Sequence, residues 1–347
     1  MDVGLFDYRL PKHLIAQHPP RERGSSRLMV VKREEQTTLS TWFRELPTLL
    51  PSPALMVLND ARVIPARLLG RKETGGRVEC FLVHKVEADR WECMVKPGRA
   101  WQVGRRLLLG EGRNAPIEAV VEEVLPSGRR LVRFTPPQGT SLEEALYSAG
   151  QVPLPPYIQR PPSQEDAERY QTVFARRGTA VAAPTAGLHF TREMLGLLQE
   201  AGIETAYITL NVGPGTFKPV KAERVEEHQM EEEFFTIPPE TAQKVNRAKE
   251  CGIPVIAVGT TVTRALESAS DERGTVVPGS RWTSLFIYPG YRFKVIDHLV
   301  TNFHLPRSTL LMLVCALGGR ELVMKAYERA IAEGFKVYSY GDAMLVL

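Results

Sequence analysis

From residue 151 onwards, strand-like runs alternate with amphipathic helical segments. The runs include ETAYITLNV, PVIAVG and TSLFIY, and the helical segments include REMLGLLQEAG, PPETAQKVNRAKECG and ELVMKAYERAIAEG. This alternation favours an α/β domain, because helices that connect neighbouring strands cover the faces of the sheet. The first 60 residues, with the strand-like run ALMVLND, have the same character. We therefore predict one discontinuous α/β domain, formed by residues 1–60 and 151–347.

The segment between these two parts has a different pattern. Runs such as GRVECFLVHKVE, DRWECMVKPG and RRLVRFTPP are short, often alternate apolar with polar residues, and are separated by turn signals. Six such runs predict a small β-barrel inserted over residues 61–150. Residues 61–135 carry 15 Lys and Arg against 9 Asp and Glu, whereas the net charge of all 347 residues is only +4. This concentrated positive charge fits contact with RNA, and a solvated basic edge is the alternative.

Composition argues against several classes of protein. No apolar run approaches the roughly 20 residues that cross a bilayer, and the N-terminal residues lack a signal-peptide pattern. The four cysteines form no CxxC pair, so neither a zinc ribbon nor a disulfide framework is indicated. The histidines show no HxxxH or HExxH spacing. We expect a cytoplasmic protein with no membrane contact and no metal site.

Four strand-to-helix junctions carry polar residues, and in α/β domains ligands bind beyond the carboxyl ends of strands. The first junction, APTAGLHFT, contains Thr185, Ala186, Gly187 and His189 ahead of a helix that Thr191 is expected to cap. A neutral imidazole at this position is suited to general acid or base catalysis. A buried structural histidine is the alternative.

The second and third junctions, NVGPGTFKPV and VIAVGTTVTRALES, combine glycine with hydroxyl or basic side chains. Glycine lets backbone N–H groups approach a ligand, and a helix N-terminus with a guanidinium suits a carboxylate or phosphate. A plain tight turn and ordinary helix capping are the respective alternatives. The candidate binding residues are Gly213, Gly215 and Thr216 in the second junction and Gly259, Thr260, Thr261 and Arg264 in the third.

Two further histidines stand next to distinctive neighbours. His304, in the fourth junction TNFHLPRST, ends a loop ahead of a helix much as His189 does, although a packed structural histidine also fits. His228 lies three residues before Glu231 in the acidic run RVEEHQMEEEFF. These two side chains could bind an amine or cation, and a solvated charged face is the alternative.

Polar residues also mark the entry to the inserted segment. The run VLNDARVIPARLL places Asn59 and Asp60 at the end of a strand, followed by Arg62 and Arg67. Together with the arginines of the inserted segment, they could form a face that neutralises phosphates.

Six motifs, in order, resemble those of the S-adenosylmethionine:tRNA ribosyltransferase-isomerase family: LNDARVIPARL, APTAGLHFT, NVGPGTFKPV, VIAVGTTVTRALES, FIYPGYRFKVIDHLVTNFHLPRSTLLMLV and EGFKVYSYGDAML. The likeness covers essentially the whole chain. It implies a large α/β barrel-like domain with an inserted small all-β barrel. It also implies transfer of the ribosyl group of S-adenosylmethionine to the aminomethyl arm of a 7-deazaguanine (preQ1) at the tRNA wobble position. The ribosyl ring rearranges to give epoxyqueuosine-tRNA, with release of adenine and methionine.

This resemblance assigns roles to the candidate residues. S-adenosylmethionine is a consumed substrate, so no cofactor is expected. A base must remove a C5′ proton, an acid must assist the departure of adenine, and the tRNA amine must arrive unprotonated. His189 is the candidate for the C5′ base or the adenine-side acid, with His304 as its partner across one cleft. His228 and Glu231 are expected to receive the aminomethyl group.

The remaining candidates are binding residues. S-adenosylmethionine is expected to contact Thr185, Ala186, Gly187, Gly213, Gly215, Thr216, Gly259, Thr260, Thr261 and Arg264, with Arg264 a candidate for its carboxylate. The tRNA is expected to contact Asn59, Asp60, Arg62 and Arg67. A non-catalytic tRNA-binding protein and an S-adenosylmethionine-dependent RNA methyltransferase are the alternatives. The sequence has no GxGxG motif after an early strand, which argues against the methyltransferase. We expect a monomer or a weak homodimer.

Overall fold

The computed structural model describes residues 1–72, 74–110, 116–213 and 220–347. Within these ranges the chain forms seventeen strands and eight α-helices. The strands are β1 Arg27–Lys32, β2 Thr37–Trp42, β3 Ala54–Asn59, β4 Ala61–Val63, β5 Arg67–Lys72, β6 Arg77–Lys85, β7 Arg90–Lys96, β8 Arg106–Leu109, β9 Ile117–Val124, β10 Arg130–Thr135, β11 Arg177–Ala180, β12 Ile203–Leu210, β13 Glu233–Ile237, β14 Val255–Val258, β15 Gly279–Thr283, β16 His298–Asn302 and β17 Ala343–Val346. The helices are α1 Leu46–Leu49, α2 Leu142–Ala149, α3 Gln164–Arg169, α4 Arg192–Glu200, α5 Pro239–Glu250, α6 Thr260–Ala269, α7 Thr309–Gly318 and α8 Arg320–Ala332. None of the helices in these ranges is long and apolar enough to cross a lipid bilayer.

Nine strands form one large mixed sheet in the order β15-β13-β12-β3-β14-β16-β17-β1-β2. Its centre is parallel, because β12, β3, β14 and β16 run in the same direction. Antiparallel pairs occupy both edges, where β13 joins β15 and β1 joins β2. The α/β class is confirmed. The sheet ends at β15 and β2, so the domain that the resemblance describes as barrel-like is built on an open sheet.

Two hydrophobic cores cover the two faces of this sheet, and β3 contributes to both. All six of its residues are buried. Leu55 and Val57 pack into the core that includes α5 to α8, whereas Met56 and Leu58 pack into the core that includes α4. Successive side chains of a strand point to opposite faces, so a strand that is covered on both faces is apolar throughout. The uninterrupted apolar run ALMVL therefore specifies a central strand.

The inserted barrel is closed and antiparallel, with the strand order β10-β7-β6-β5-β8-β9. Alternate residues point inward, as Val78, Cys80 and Leu82 of β6 show. Helix α2 packs against the same core through Ala145 and Leu146. Each of the six strand-like runs forms one strand, so the predicted all-β barrel is confirmed. The domain bounds at residues 61 and 150 remain a prediction.

Two neighbouring parallel strands, β14 and β16, end at the same edge of the large sheet. Val258 aligns with Val300, so the loops that follow the two strands emerge side by side. A short 3-10 turn, Thr185–His189, packs beside β16. Three of the polar junctions are therefore brought to the sheet edge at which open α/β sheets bind ligands.

Candidate active site

A cleft opens at this edge of the large sheet. The predicted site residues that line it are Thr185, Ala186, Gly259, Thr260, Thr261 and His304. The surrounding walls are largely apolar or aromatic and include Tyr157, Phe303, Leu310 and Tyr338. Segments that are far apart in the sequence thus meet around one concave site in which apolar walls are combined with polar side chains, which is the usual form of a small-molecule site.

His304 lines the cleft directly. Its ring Nε2 lies 2.8 Å from Thr301 Oγ1, and its backbone N–H donates to the hydroxyl of Tyr327 at 2.9 Å. Tyr8 donates a further hydrogen bond to its carbonyl oxygen. Burial lowers the pKa of His304 to about 3, because the apolar surroundings penalise the charged ring. The ring is therefore neutral near pH 7, and among the described residues nothing forms a hydrogen bond to its Nδ1.

His189 lies behind the wall of the cleft rather than on it. Its Nε2 is 3.0 Å from Asn302 Nδ2, and its Nδ1 is 2.6 Å from Ser26 Oγ. Because the amide nitrogen of Asn302 only donates, Nε2 accepts and Nδ1–H donates to Ser26. Burial, with a smaller effect from Arg23, lowers the pKa of His189 to about 4. The expected arrangement of two histidines facing each other across one cleft is thus corrected, because both ring nitrogens of His189 are already held.

The N-terminus of α6 forms one wall of the cleft. Gly259 precedes this helix with φ of 95°, a left-handed conformation that side chains disfavour. Thr260 and Thr261 follow it and are buried. The first backbone N–H groups of a helix have no partners within the helix and carry partial positive charge, so they favour a negatively charged ligand group.

Gly187 has a packing role. A Cβ atom at this position would lie 2.8 Å from Thr172 Cγ2 and 2.9 Å from Phe174 Cζ, which is too close for any side chain. Gly187 does not line the cleft. A larger residue would force Thr172 or Phe174 to shift, because the turn Thr185–His189 packs tightly against their segment. The contact of Gly187 with S-adenosylmethionine remains a prediction.

A second pocket adjoins the cleft and shares Leu310 with it. It is lined by Gly213, His228, Glu231, Glu233 and Arg264, among others. Gly213 and Arg264 thus line this pocket and not the cleft, and their contact with S-adenosylmethionine remains a prediction. The guanidinium of Arg264 forms a buried ion pair with Glu233 and donates from Nε to the carbonyl of Leu285 at 2.9 Å. These partners already hold Arg264, so it is not a free carboxylate ligand.

His228 and Glu231 share the second pocket, as their spacing predicts. The ring of His228 packs edge-on against Phe286, with centroids 5.4 Å apart. Burial lowers its pKa, and the nearby charge of Glu231 opposes this effect. Glu231 also forms an ion pair of 3.1 Å with Arg129, which immediately precedes β10. This ion pair places the barrel next to the second pocket.

The chain matches a family model described as queuosine biosynthesis protein over residues 3–346. The chain belongs to the queuosine biosynthesis protein family. Two similar relatives are both named S-adenosylmethionine:tRNA ribosyltransferase-isomerase. The protein from Desulfitobacterium hafniense is 50% identical, and the match covers 99% of this chain and 98% of that protein. The protein from Acetivibrio thermocellus is 49% identical, with 100% of both chains covered.

A solved structure agrees with this assignment to the queuosine biosynthesis protein family. The crystal structure of S-adenosylmethionine tRNA ribosyltransferase from Thermotoga maritima is 35% identical to this chain, with a TM-score of 0.55. The match covers 99% of this chain and 100% of that one. The likeness therefore includes both the large sheet and the inserted barrel.

Two of the residues expected to contact tRNA are buried in this member of the queuosine biosynthesis family. Asn59 Oδ1 accepts hydrogen bonds from the backbone of Ala61 and Leu210, so it ties the end of β3 to the end of β12. Asp60 accepts a hydrogen bond of 2.6 Å from Thr209. Burial raises the pKa of the Asp60 carboxyl. Neither side chain is available to tRNA, which corrects both assignments.

The two arginines of this set are accessible. Arg62 is exposed, and its guanidinium lies 5.3 Å from the centre of the Tyr147 ring. Arg67 is half-buried and forms an ion pair of 2.8 Å with Glu79. Their contact with tRNA remains a prediction. Gly215 and Thr216 lie outside the described residues. Within the described ranges, no group of three or more His, Cys, Asp or Glu side chains could hold a metal ion.

Sequence patterns missed Asn302, Tyr338 and Ser26. Asn302 lines the cleft and is 2% exposed, and its side chain connects His189 to the carbonyl of Tyr338. Tyr338 also lines the cleft and has φ of 72°, which is uncommon for a residue other than glycine. Asn302 could have been found from the sequence, because it is a polar residue at the end of strand β16. The pairing of Ser26 with His189 spans 163 residues, and no local pattern indicates it.

Proposed function

We propose that this protein is an S-adenosylmethionine:tRNA ribosyltransferase-isomerase that acts on preQ1 at the wobble position of tRNA. The observation that carries the proposal is the meeting of His304, the α6 N-terminus and the turn Thr185–His189 around one cleft. This cleft lies in a chain that is about half identical, over its full length, to proteins with that name. The products are epoxyqueuosine-tRNA, adenine and methionine.

The cleft suits the two ends of S-adenosylmethionine. Its aromatic and apolar walls favour a flat purine, because burial of apolar surface is the main source of affinity for such a ring. The α6 N-terminus, with Thr260 and Thr261, favours the carboxylate of the methionine part. This role replaces the one expected for Arg264, whose charge is compensated by Glu233.

His304 is the candidate for proton transfer at the reacting ribose. The sulfonium acidifies the C5′ protons, so a neutral imidazole at the cleft wall can take one of them through Nδ1. The hydrogen bond of Thr301 at Nε2 fixes the ring orientation. The low pKa of His304 makes it a weak base in the free enzyme. Once protonated, the ring is a strong acid and can pass the proton on to the departing adenine.

The second pocket is the candidate site for the aminomethyl group of preQ1. Its acidic side chains favour a cationic amine, and the charge of Glu231 acts on the His228 ring in the same pocket. The pKa of His228 is lowered by burial, so its ring is neutral near pH 7 and can accept the proton that the amine must lose. The wall that the two pockets share at Leu310 supports this assignment, because an amine in the second pocket would be next to a ribosyl group in the cleft.

The basic barrel is the candidate surface for tRNA. Arg62 and Arg67 lie close to where the chain enters the barrel, and Arg129 connects the barrel to the second pocket. Phosphate contacts of this kind fix the position of an RNA without reading its bases. We propose that the enzyme acts in the cytoplasm as a monomer or weak homodimer, with no cofactor.

The decisive test is product analysis with preQ1-bearing tRNA and S-adenosylmethionine. We expect epoxyqueuosine among the digested nucleosides, with one adenine and one methionine released per modified tRNA. Chelating agents should leave the affinity for S-adenosylmethionine unchanged, because the proposed reaction uses no metal. Release of S-adenosylhomocysteine with a methylated nucleoside would instead identify a methyltransferase. Binding of tRNA with neither product, under conditions in which the Thermotoga maritima enzyme is active, would contradict catalysis.

A further inference from the structure

The side-chain oxygen of Asn302 is buried at the cleft without a hydrogen bond. Asn302 is 2% exposed and lines the cleft, and its Oδ1 has no partner in the described part of the chain. A buried polar atom without a partner is costly, because it loses the hydrogen bonds that water gives it in the unfolded chain. Such atoms are uncommon in folded proteins, and each one calls for a partner that the chain itself does not supply.

The orientation of the Asn302 amide follows from its other contacts. Its Nδ2 donates to the carbonyl oxygen of Tyr338 at 3.0 Å and to His189 Nε2 at 3.0 Å. Rotating the amide by 180° would place Oδ1 against the Tyr338 carbonyl, and two acceptors repel each other. The amide nitrogen therefore points to Tyr338 and His189, and the oxygen is the atom left without a donor.

His189 is fixed in the form that this arrangement requires. Ser26 Oγ accepts a hydrogen bond from Nδ1–H, so Nε2 carries a lone pair towards Asn302. Phe43 packs against the imidazole with ring centroids 5.1 Å apart. The chain of contacts from Ser26 through His189 to Asn302 thus holds an acceptor in one orientation at the wall of an apolar cleft.

The surroundings of Asn302 favour an aromatic base over a sugar or an ammonium group. Tyr338, whose carbonyl holds the amide, packs against Tyr157 with ring centroids 4.4 Å apart, and both line the cleft. The hydroxyl of Tyr338 is also buried with no partner among the described residues. A purine with an exocyclic amino group offers a flat apolar body, an N–H donor and ring nitrogens that accept. It matches each of these features.

We propose that Asn302 Oδ1 accepts a hydrogen bond from the 6-amino group of the adenine of S-adenosylmethionine, and that His189 is a positioning residue which holds Asn302 in place. This inference rests on the proposed function, because it presumes that S-adenosylmethionine occupies the cleft. It makes Asn302 the residue that distinguishes adenine from a purine without the amino group. It also gives His189 a structural task in place of direct proton transfer.

Calorimetric titration with three ligands tests this assignment. The ligands are S-adenosylmethionine, its analogue with purine in place of adenine, and its 3′-deoxyribose analogue. We expect the wild-type protein to bind S-adenosylmethionine about 10–100-fold more tightly than the purine analogue, because the analogue leaves Oδ1 unpaired. In Asn302→Leu this preference should disappear, whereas the preference over the 3′-deoxy analogue should persist.

His189 variants test the positioning role. His189→Ala should weaken the preference for the 6-amino group, and His189→Gln, whose side-chain oxygen can accept from Asn302, should restore part of it. Equal wild-type affinity for adenine and purine ligands would overturn the proposal even if Asn302→Leu fails to fold. Loss of the 3′-hydroxyl preference in Asn302→Leu would assign Oδ1 to the ribose instead. If the wild-type protein does not bind S-adenosylmethionine at all, the proposed function itself fails.

Discussion

Arg264 and Glu233 form an ion pair in which both side chains are almost completely buried, with 4% and 5% of their surface exposed. Arg264 lies on α6, and Glu233 is the first residue of β13. The pair therefore joins the helix whose N-terminus lines the cleft to the strand that borders the second pocket. Removing Glu233 leaves the guanidinium of Arg264 buried without its counter-charge.

We predict that Glu233→Ala lowers the free energy of unfolding by about 3–5 kcal/mol. The reason is that the guanidinium of Arg264 stays buried without its counter-charge. Urea denaturation followed by circular dichroism measures this change. The matched control is Glu333→Ala, which breaks the exposed pair of Arg329 and Glu333 and should cost about 0–1 kcal/mol. Similar losses in the two variants would contradict the importance of burial.

Local sequence patterns indicated the elements of this fold because buried apolar residues recur with the period of the strand or helix that contains them. The alternation in β6 specifies a barrel strand with one face inside, and the continuous apolar run of β3 specifies a strand covered on both faces. Both patterns depend only on neighbours along the chain. The same logic predicted that the loops after β14 and β16 would carry a ligand site.

Side-chain partners could not be predicted in this way, because they are set by contacts between distant segments. Asn59 and Asn302 both end buried strands, yet one ties two strands together and the other lines the cleft. The sequence makes Arg264 a reasonable candidate for binding a carboxylate, but in the fold it pairs with Glu233, which is 31 residues away. His189 is held by Asn302 from 113 residues away. The sequence near each residue contains no sign of these partners.

His304 is expected to be essential for turnover. We predict that His304→Gln lowers kcat by about 10²–10⁴-fold, the usual contribution of a general acid or base, while the affinity for S-adenosylmethionine changes little. Single-turnover release of adenine measures the rate, and calorimetry measures the affinity. His298→Gln, at the opposite end of β16, is the control and should retain activity. A His304→Gln variant with wild-type kcat would exclude proton transfer by this residue.

Two buried histidines should make stability depend on pH. Burial lowers the pKa of His304 to about 3 and that of His189 to about 4, against about 6.5 for an unfolded histidine. Below pH 6.5 the unfolded chain therefore takes up protons that the folded chain does not. The stability contribution is fully present above pH 6.5 and is lost as the pH falls towards 4.

Urea denaturation at several pH values between 7.5 and 4 measures this effect. We predict that the free energy of unfolding falls with pH, and that His189→Gln makes the slope shallower by up to about 1.4 kcal/mol per pH unit. The expected reason is that one fewer histidine is held neutral in the folded state. An unchanged slope in His189→Gln would mean that this ring is protonated equally in both states.

Arg62 lies on β4, just before the barrel, and should contribute to tRNA binding through its charge alone. We predict that Arg62→Ala weakens tRNA binding and reduces the slope of log affinity against log salt concentration by about 0.7–0.9, the effect of one lost phosphate contact. The affinity for S-adenosylmethionine should be unchanged, because Arg62 does not line the cleft. Lys325→Ala on α8 removes an equally exposed charge outside the barrel and serves as the control. Equal loss of tRNA affinity in the two variants would show that net charge, and not the barrel surface, attracts the tRNA.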